Sequence, residues 1–532
     1  MVQSKSPKWQ LRWRCGRWWW KVFKLLLKIP LVIGLLLSVV VLYRALTAST
    51  PASTLDILNN AQTAGVDDNL KMERAHRLAG ALRISTVSYE PGKQETGELL
   101  KLHRYLEKEF PAVHNCSFVK REIINVYSLL YTVTGTSPDK LPYMLASHLD
   151  VVPADPEHWE VDPFSGKIVN NTYIYGRGTI DDKGGVLGIL EALEYLIKKG
   201  ERPQRSFFIA FGHDEEVSGK QGAQEIARVL LKRGVDRLDF VLDEGYTVTR
   251  YIFPGTRKHV ALVGVSEKGY LTLELSVNGS PGHSSFPPWE SAIGILSEAI
   301  TKLEKNKLPS MFGTGPERST FEYLAPHVGF LHRLLYSNMW LFSGFMARIM
   351  EKEALSNAYV RTTSAITVFH GGIKENVVPA HAKATINHRV HPSQTISDVI
   401  EFDKRTIDDP RVEIKVKASK EAHTVSPYGP DDVQFNLIAR SIYQTFDDVV
   451  VIPGVLIANT DTRWYLGLSS HLYRFFPTVI YPEDTNRYHG IDERISIDNY
   501  QQAVSFYYRV MKNADLIIGH VASTTAHQQR EL

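Results

Sequence analysis

Glu215 and Glu216 stand side by side in the stretch FFIAFGHDEEVSGKQGA, immediately after an apolar run. Successive side chains on a strand point to opposite faces, so the pair can share one site only where the backbone turns just past the strand. Two other apolar runs end in a similar way: LPYMLASHLD closes on His148 and Asp150, and LDFVLDEG on Asp243. Imidazole and carboxylate donors suit zinc, and a carboxylate can bridge a pair of ions because it offers two oxygens. Asp150, two residues past His148, has the position of an orienter that accepts the ring's second N–H and fixes its tautomer. Asp181, in the loop GRGTIDDKGG, is placed to bridge, and NRYHGIDERISIDNY offers His489 just before the last helix. A lone His or Asp at a strand end is ordinarily a cap or a core hydrogen-bond partner; several converging on one sheet edge point to a metal site.

The elements that must position these groups read as a mixed α/β domain. Short continuous apolar runs predict buried strands of a mainly parallel sheet. Between the first two, DDKGGVLGILEALEYLIKKG places Val186, Ile189, Leu190, Leu193 and Ile197 at helical spacing, with Gly200 as the stop. Strand, helix, strand is the expected order, and such sheets gather ligands outside the carboxyl ends of their strands. Glycines at 176, 178, 184 and 185 let the backbone approach closely. The sequence shows no internal repeat or low-complexity tract.

At 532 residues, 43% hydrophobic and 22% charged, the chain is long enough for at least two domains. Its formal charge of +3 is misleading. Lys5, Lys8, Arg12, Arg14, Arg17, Lys21, Lys24 and Lys28 precede Pro30 without an acid among them; set aside, they leave a mildly acidic body with no nucleic-acid footprint. Residues 25–46, LLLKIPLVIGLLLSVVVLYRAL, have about the 20-residue length of a membrane-spanning helix. The basic arm 1–24 predicts a cytoplasmic N-terminus, hence a single-pass type II protein with a lumenal or extracellular catalytic part. Secretion after signal cleavage is the alternative; Leu46-Thr47-Ala48 lacks a small residue at the usual −3 position. Asn115, Asn170 and Asn278 begin glycosylation triplets. The two cysteines, Cys15 and Cys116, flank the apolar run, so no intrachain disulfide framework is expected.

Taken as an ordered set, His148-Leu149-Asp150, Gly176 through Gly184, Glu215-Glu216, Asp243-Glu244-Gly245 and His489 resemble the di-zinc aminoacylase and carboxypeptidase family over about 61–515. QRSFFIAFGHDEE, VSEKG at 265–269, GHSS at 282–285 and NVVP at 376–379 are most similar to its N-fatty-acyl-amino-acid synthase/hydrolase branch, beside carboxypeptidase S. The resemblance implies two zinc ions per chain, one held by His148, Asp181 and Asp243, the other by Asp181, Glu216 and His489. It makes Glu215 the general base, His283 the group that polarises the scissile carbonyl, and Arg389, assisted by Asn376, the clamp on the substrate carboxylate. Plainer roles exist: His283 capping a turn, Arg389 pairing with a surface acid.

That family inserts a smaller lid, and GYLTLELSVNG, AKATINHRVHP and RVEIKVKAS alternate as half-exposed strands do. The expected organisation is a stalk at 47–60, catalytic parts at 61–264 and 423–515, an α+β lid at 265–422 and a polar tail at 516–532. Within the lid, residues 321–355 are rich in Phe, Leu, Met and Trp at helical intervals, read either as a buried helical hairpin or as an acyl-chain groove. The expected activity is reversible hydrolysis of N-fatty-acyl amino acids, with a homodimer through the lid. A carboxypeptidase acting on short peptides is the alternative enzyme, and a catalytically silent lipid-carrying or adhesive ectodomain the alternative of another class.

Overall fold

The computed structural model describes residues 8–49 and 64–516. The start of the basic arm, most of the 47–60 stalk and the tail from 517 onward lie outside the described residues. At the centre is an eight-stranded sheet in the order Val449–Leu456, His259–Glu267, Leu472–Ile480, Val241–Thr249, Tyr143–His148, Phe207–Gly212, Ser128–Val133, Val119–Ile124. Its middle strands, from Leu472–Ile480 to Phe207–Gly212, are parallel. The flanks are not, so the sheet is mixed rather than mainly parallel. Only a short turn through Asn125 and Val126, both at positive φ, joins Val119–Ile124 to Ser128–Val133, and so short a link allows only antiparallel pairing. His259–Glu267 likewise runs against Leu472–Ile480 while pairing in parallel with Val449–Leu456.

Helices cover both faces, which is why the central strands read as unbroken apolar runs. Helices Lys183–Lys198 and Ile497–Leu516 bury Val186, Leu190, Leu193, Val504 and Met511 against one face. Helix Ala223–Lys232 buries Ile226 and Leu230 against the other. The Asp182 side chain caps Lys183–Lys198 by accepting from the Gly185 N–H, and Gly200 at φ +72 ends it. Asp182 therefore aims this helix's N-terminus at the strand ends.

A second, antiparallel sheet runs in the order Thr363–Gly371, His381–Val390, Gly269–Asn278, Val412–Lys420. Gly269–Asn278 alternates buried and half-buried residues because one face packs beneath helix Ala292–Lys305. Helix Ile396–Ile407, opened by a Thr395–Asp398 capping box, adds Val399 and Ile407 to the same layer.

The apolar insertion departs from its place in the sequence. Helices Glu317–Leu324, Phe330–Tyr336 and Met339–Met350 bury Phe321, Leu324, Tyr336, Met339 and Met346 against Val260, Leu262, Val450 and Ile452 of the central sheet, not against the second one. Strand Val449–Leu456 is the central sheet's edge and is buried along its whole length, so it needs this cover. The buried-hairpin reading holds for one face of the segment, which is core; the other exposes Phe330, Trp340 and Phe345.

Candidate metal centre

The strand ends converge as the apolar runs predict. His148 ends its strand with the imidazole buried; Nδ1 lies 2.9 Å from the Asp150 carbonyl oxygen and 3.4 Å from its carboxylate. That leaves Nε2 facing Asp181 Oδ1 at 2.9 Å and Glu244 Oε1 at 3.4 Å. The other Asp181 oxygen, Oδ2, lies 3.1 Å from His489 Nε2, which is 3.3 Å from Glu216 Oε2. One carboxylate thus spans two imidazoles.

The two glutamates occupy one short 3-10 turn, Glu215–Val217, just past strand Phe207–Gly212. Asp150 holds that turn: its carboxylate accepts from the backbone N–H groups of Glu215 at 3.1 Å and Glu216 at 3.3 Å. Asp150 therefore positions both the imidazole and the glutamate pair. The carboxylate facing His148 is Glu244, one residue beyond the expected Asp243. Along an extended strand the two point to opposite faces.

Charge is unevenly matched here. Burial pushes Glu215 up to about 8 and Asp243 up to about 6, and burial with Asp181's repulsion raises Glu216. Hydrogen bonds donated to the Asp181 and Glu216 carboxylates lift His489 to about 10. Burial opposes a charge on His148, yet Glu244, Asp150 and Asp181 raise its imidazole well above the usual range. Carboxylates outnumber the two imidazoles, and buried Glu216 Oε1 and Asp243 Oδ2 have no hydrogen-bond partner. A buried acceptor without a partner is costly, and divalent cations relieve both deficits. His148, Asp181 and Glu216 bring donor atoms within 4.8 Å of one another, as do His148, Asp182 and Glu244. Asp182 is already engaged by Ser147 and by its capping bond, which makes Glu244 the freer donor.

Three supports escaped the sequence reading. Glu493, fully buried, accepts from the N–H groups of Gly178 at 3.0 Å, Ile180 at 2.7 Å and Asp181 at 3.2 Å while pairing with Arg177 at 2.7 Å. It fixes the loop that carries Asp181. Arg463 pairs with Glu215. Asn459 Oδ1 accepts from Arg389 at 2.7 Å, tying the second sheet to the central body. Asn459 and Arg463 follow the apolar run VVVIPGVLIA, so the strand-end rule applied once more would have found them.

Residues of the second sheet are less gathered. Arg389 is half-buried, with its guanidinium 5.4 Å from the Tyr270 ring centre; burial, with Arg463 nearby, lowers its pKa. His283 and Asn376 are exposed and lie together at a two-stranded ladder, where Ser284 N–H donates to the Asn376 carbonyl at 3.1 Å. Among the described residues, no hydrogen bond or ion pair joins His283 to the metal-site carboxylates.

A profile for peptidase family M20/M25/M40 matches residues 144–513. The chain is 44% identical over 497 residues to N-fatty-acyl-amino acid synthase/hydrolase PM20D1 of Xenopus tropicalis, covering 93% of this chain and 96% of that one. It is 41% identical over 493 residues to probable carboxypeptidase S-like 2 of Dictyostelium discoideum, covering 91% and 93%. The M20 family metallo-carboxypeptidase Sso-CP2 of Sulfolobus solfataricus superposes with a TM-score of 0.59 at 18% identity, over 84% of this chain and all of that one, a likeness of fold.

Proposed function

Because the chain belongs to peptidase family M20/M25/M40, we propose that it hydrolyses, and in reverse forms, the amide bond between a fatty acid and an amino acid. The observation that carries the reaction is the Glu215–Glu216 turn, which sets one carboxylate among the donors and its neighbour beside them. His148, Asp181, Glu216 and His489 would hold two zinc ions, together with Asp243, as the resemblance implies, or Glu244, which faces His148. Bound there, the ions would supply Lewis acidity for activating water and polarising the amide carbonyl. Glu215 takes a proton from the attacking water and returns it to the leaving nitrogen. Arg463 and the Asp150-held backbone aim its carboxylate. Arg389, presented by Asn459, binds the substrate carboxylate, and His283 with Asn376 reaches the scissile carbonyl.

Purified full-length chain, loaded with zinc, is assayed on an N-oleoyl amino acid and on an unblocked dipeptide side by side. Turnover of the first supports the reading. Turnover of the dipeptide alone favours the carboxypeptidase, for which the likeness to a carboxypeptidase S-like protein speaks. Metal content of Asp243→Asn and Glu244→Gln decides which of the two carboxylates is a ligand.

The stretch Lys28–Thr47 of the N-terminal helix is read as a membrane anchor with a cytoplasmic basic arm. Its apolar length and the exposure of Asn115, Asn170 and Asn278 support that topology. Protection of the catalytic part from protease in intact vesicles tests it. A homodimer through the second sheet is supported by the edge strand Thr363–Gly371, which exposes Val368 and Phe369.

A further inference from the structure

The last turns of the N-terminal helix Lys8–Thr47 are built into the body of the protein. Val41 and Ala45 are buried, the Asn338 side-chain amide donates to the Val41 carbonyl at 3.0 Å, and Arg44 Nε donates to the Ser337 carbonyl at 2.9 Å. Ser337 and Asn338 form the corner between helices Phe330–Tyr336 and Met339–Met350. Val41 lies five residues before the end of the apolar run at Leu46, about 7 Å along the helix axis at roughly 1.5 Å per residue. A corner bonded there sits below the level at which that helix leaves the hydrocarbon.

The two corner helices are built for such a depth. Their outward faces expose Phe330, Leu331, Trp340, Leu341, Phe345 and Ile349, with Leu331 80% and Phe345 54% exposed. Between Phe330 and Met350 there is no Asp or Glu, while Arg348 lies exposed and Trp340 offers an amphipathic ring. Apolar faces with aromatic and cationic residues characterise segments lying in the headgroup and acyl boundary. Contiguous exposed apolar surface on a water-facing protein ordinarily marks a contact site.

We infer that the Phe330–Met350 hairpin is embedded in the lipid leaflet that the N-terminal helix enters, holding the edge of the central sheet against the bilayer. The inference rests on reading the N-terminal helix as a membrane anchor. Its occupant is lipid, committed by continuity with that helix through Val41, Arg44 and Asn338.

The test uses the full chain with Cys15→Ser and Cys116→Ser in phosphatidylcholine vesicles, labelled with a polarity-sensitive fluorophore at one introduced cysteine. Leu331→Cys and Phe345→Cys report the hairpin, and Leu35→Cys the anchor. Ile123→Cys, on strand Val119–Ile124 at the opposite edge of the central sheet, reports the far side. Both hairpin probes are expected to shift to the blue and to lose emission when nitroxide lipids are included, while the Ile123 probe does neither. Quenching at Leu35 with none at Leu331 and Phe345 overturns the inference and leaves the anchor standing. Absence of quenching at Leu35 removes the anchor reading itself. Equal quenching at Ile123 and the hairpin overturns the assigned orientation.

Discussion

The candidate metal centre and the exposed two-stranded ladder that carries His283 are held in opposite ways. Asp181 is fixed from behind by Glu493 and in front by two imidazoles, and the glutamate turn hangs on both oxygens of Asp150. Among the described residues, the His283 imidazole has one hydrogen bond, accepted at 3.1 Å from the Ser285 N–H, and the residue is exposed. Groups that must hold charged ions at fixed separations are preset by buried bonds, at a cost in desolvation. A group proposed to meet the substrate, as His283 is, can be left to be ordered by it. Substitutions on the two sides should therefore fail differently, the first through metal and stability, the second through turnover alone.

The sharpest break in that pattern lies within the centre itself. Glu215→Gln should lower turnover by roughly 10²–10⁴ with both zincs retained, the range of general-base loss. Glu216→Gln should instead lose affinity for one ion and recover in excess zinc. Metal analysis beside the rates separates them, and zinc lost from Glu215→Gln with Glu216→Gln intact reverses the roles. Next in size is Glu493→Gln. Arg177 and Glu493 are both buried, so the change leaves a guanidinium without its anion and should destabilise the protein by about 3–5 kcal/mol. Denaturant melts and zinc affinity should fall together; a melt shift with unaltered affinity would free Asp181 from dependence on Glu493.

Arg389→Met probes the seam between the two regions. Hydrogen bonds to charged groups contribute about 1.5–3 kcal/mol, so KM should rise roughly ten- to a hundredfold. Amidating the substrate's carboxylate should harm the parent enzyme and barely affect the variant. Equal losses in both would make Arg389 a strut for Asn459. The smallest thermodynamic effect belongs to His283→Ala, within about 0.5 kcal/mol of the parent because the side chain is exposed. Turnover should fall while zinc content holds, and unchanged turnover would take His283 out of the reaction.

His148, the Glu215–Glu216 pair and the Asp243–Glu244 pair were legible because each ends a run of apolar residues whose burial leaves it one place to emerge; Asp181 and His489 stand in loops and were found as members of the ordered set. Glu493 was not, because a carboxylate that serves backbone N–H groups has no partner motif in the sequence. That Glu244 rather than Asp243 faces the His148 ring was not legible, since the local pattern does not say which of two adjacent acids points that way. The helical insertion shows the limit from another direction: residues between two strands of the second sheet pack on the central sheet because the buried edge strand Val449–Leu456, far downstream, needs covering. Sheet direction followed from turn length, which apolar runs do not encode.

Glu493 reaches the Ile180 N–H across 313 residues of sequence. The Asp181 loop cannot take its final shape until almost the whole chain has been synthesised, because the carboxylate that shapes it emerges near the end. Closing so long a loop is slow, and the partly made chain carries a donor cluster without its clamp. The order of synthesis thus keeps a hydrolytic centre incomplete until the body around it has been made.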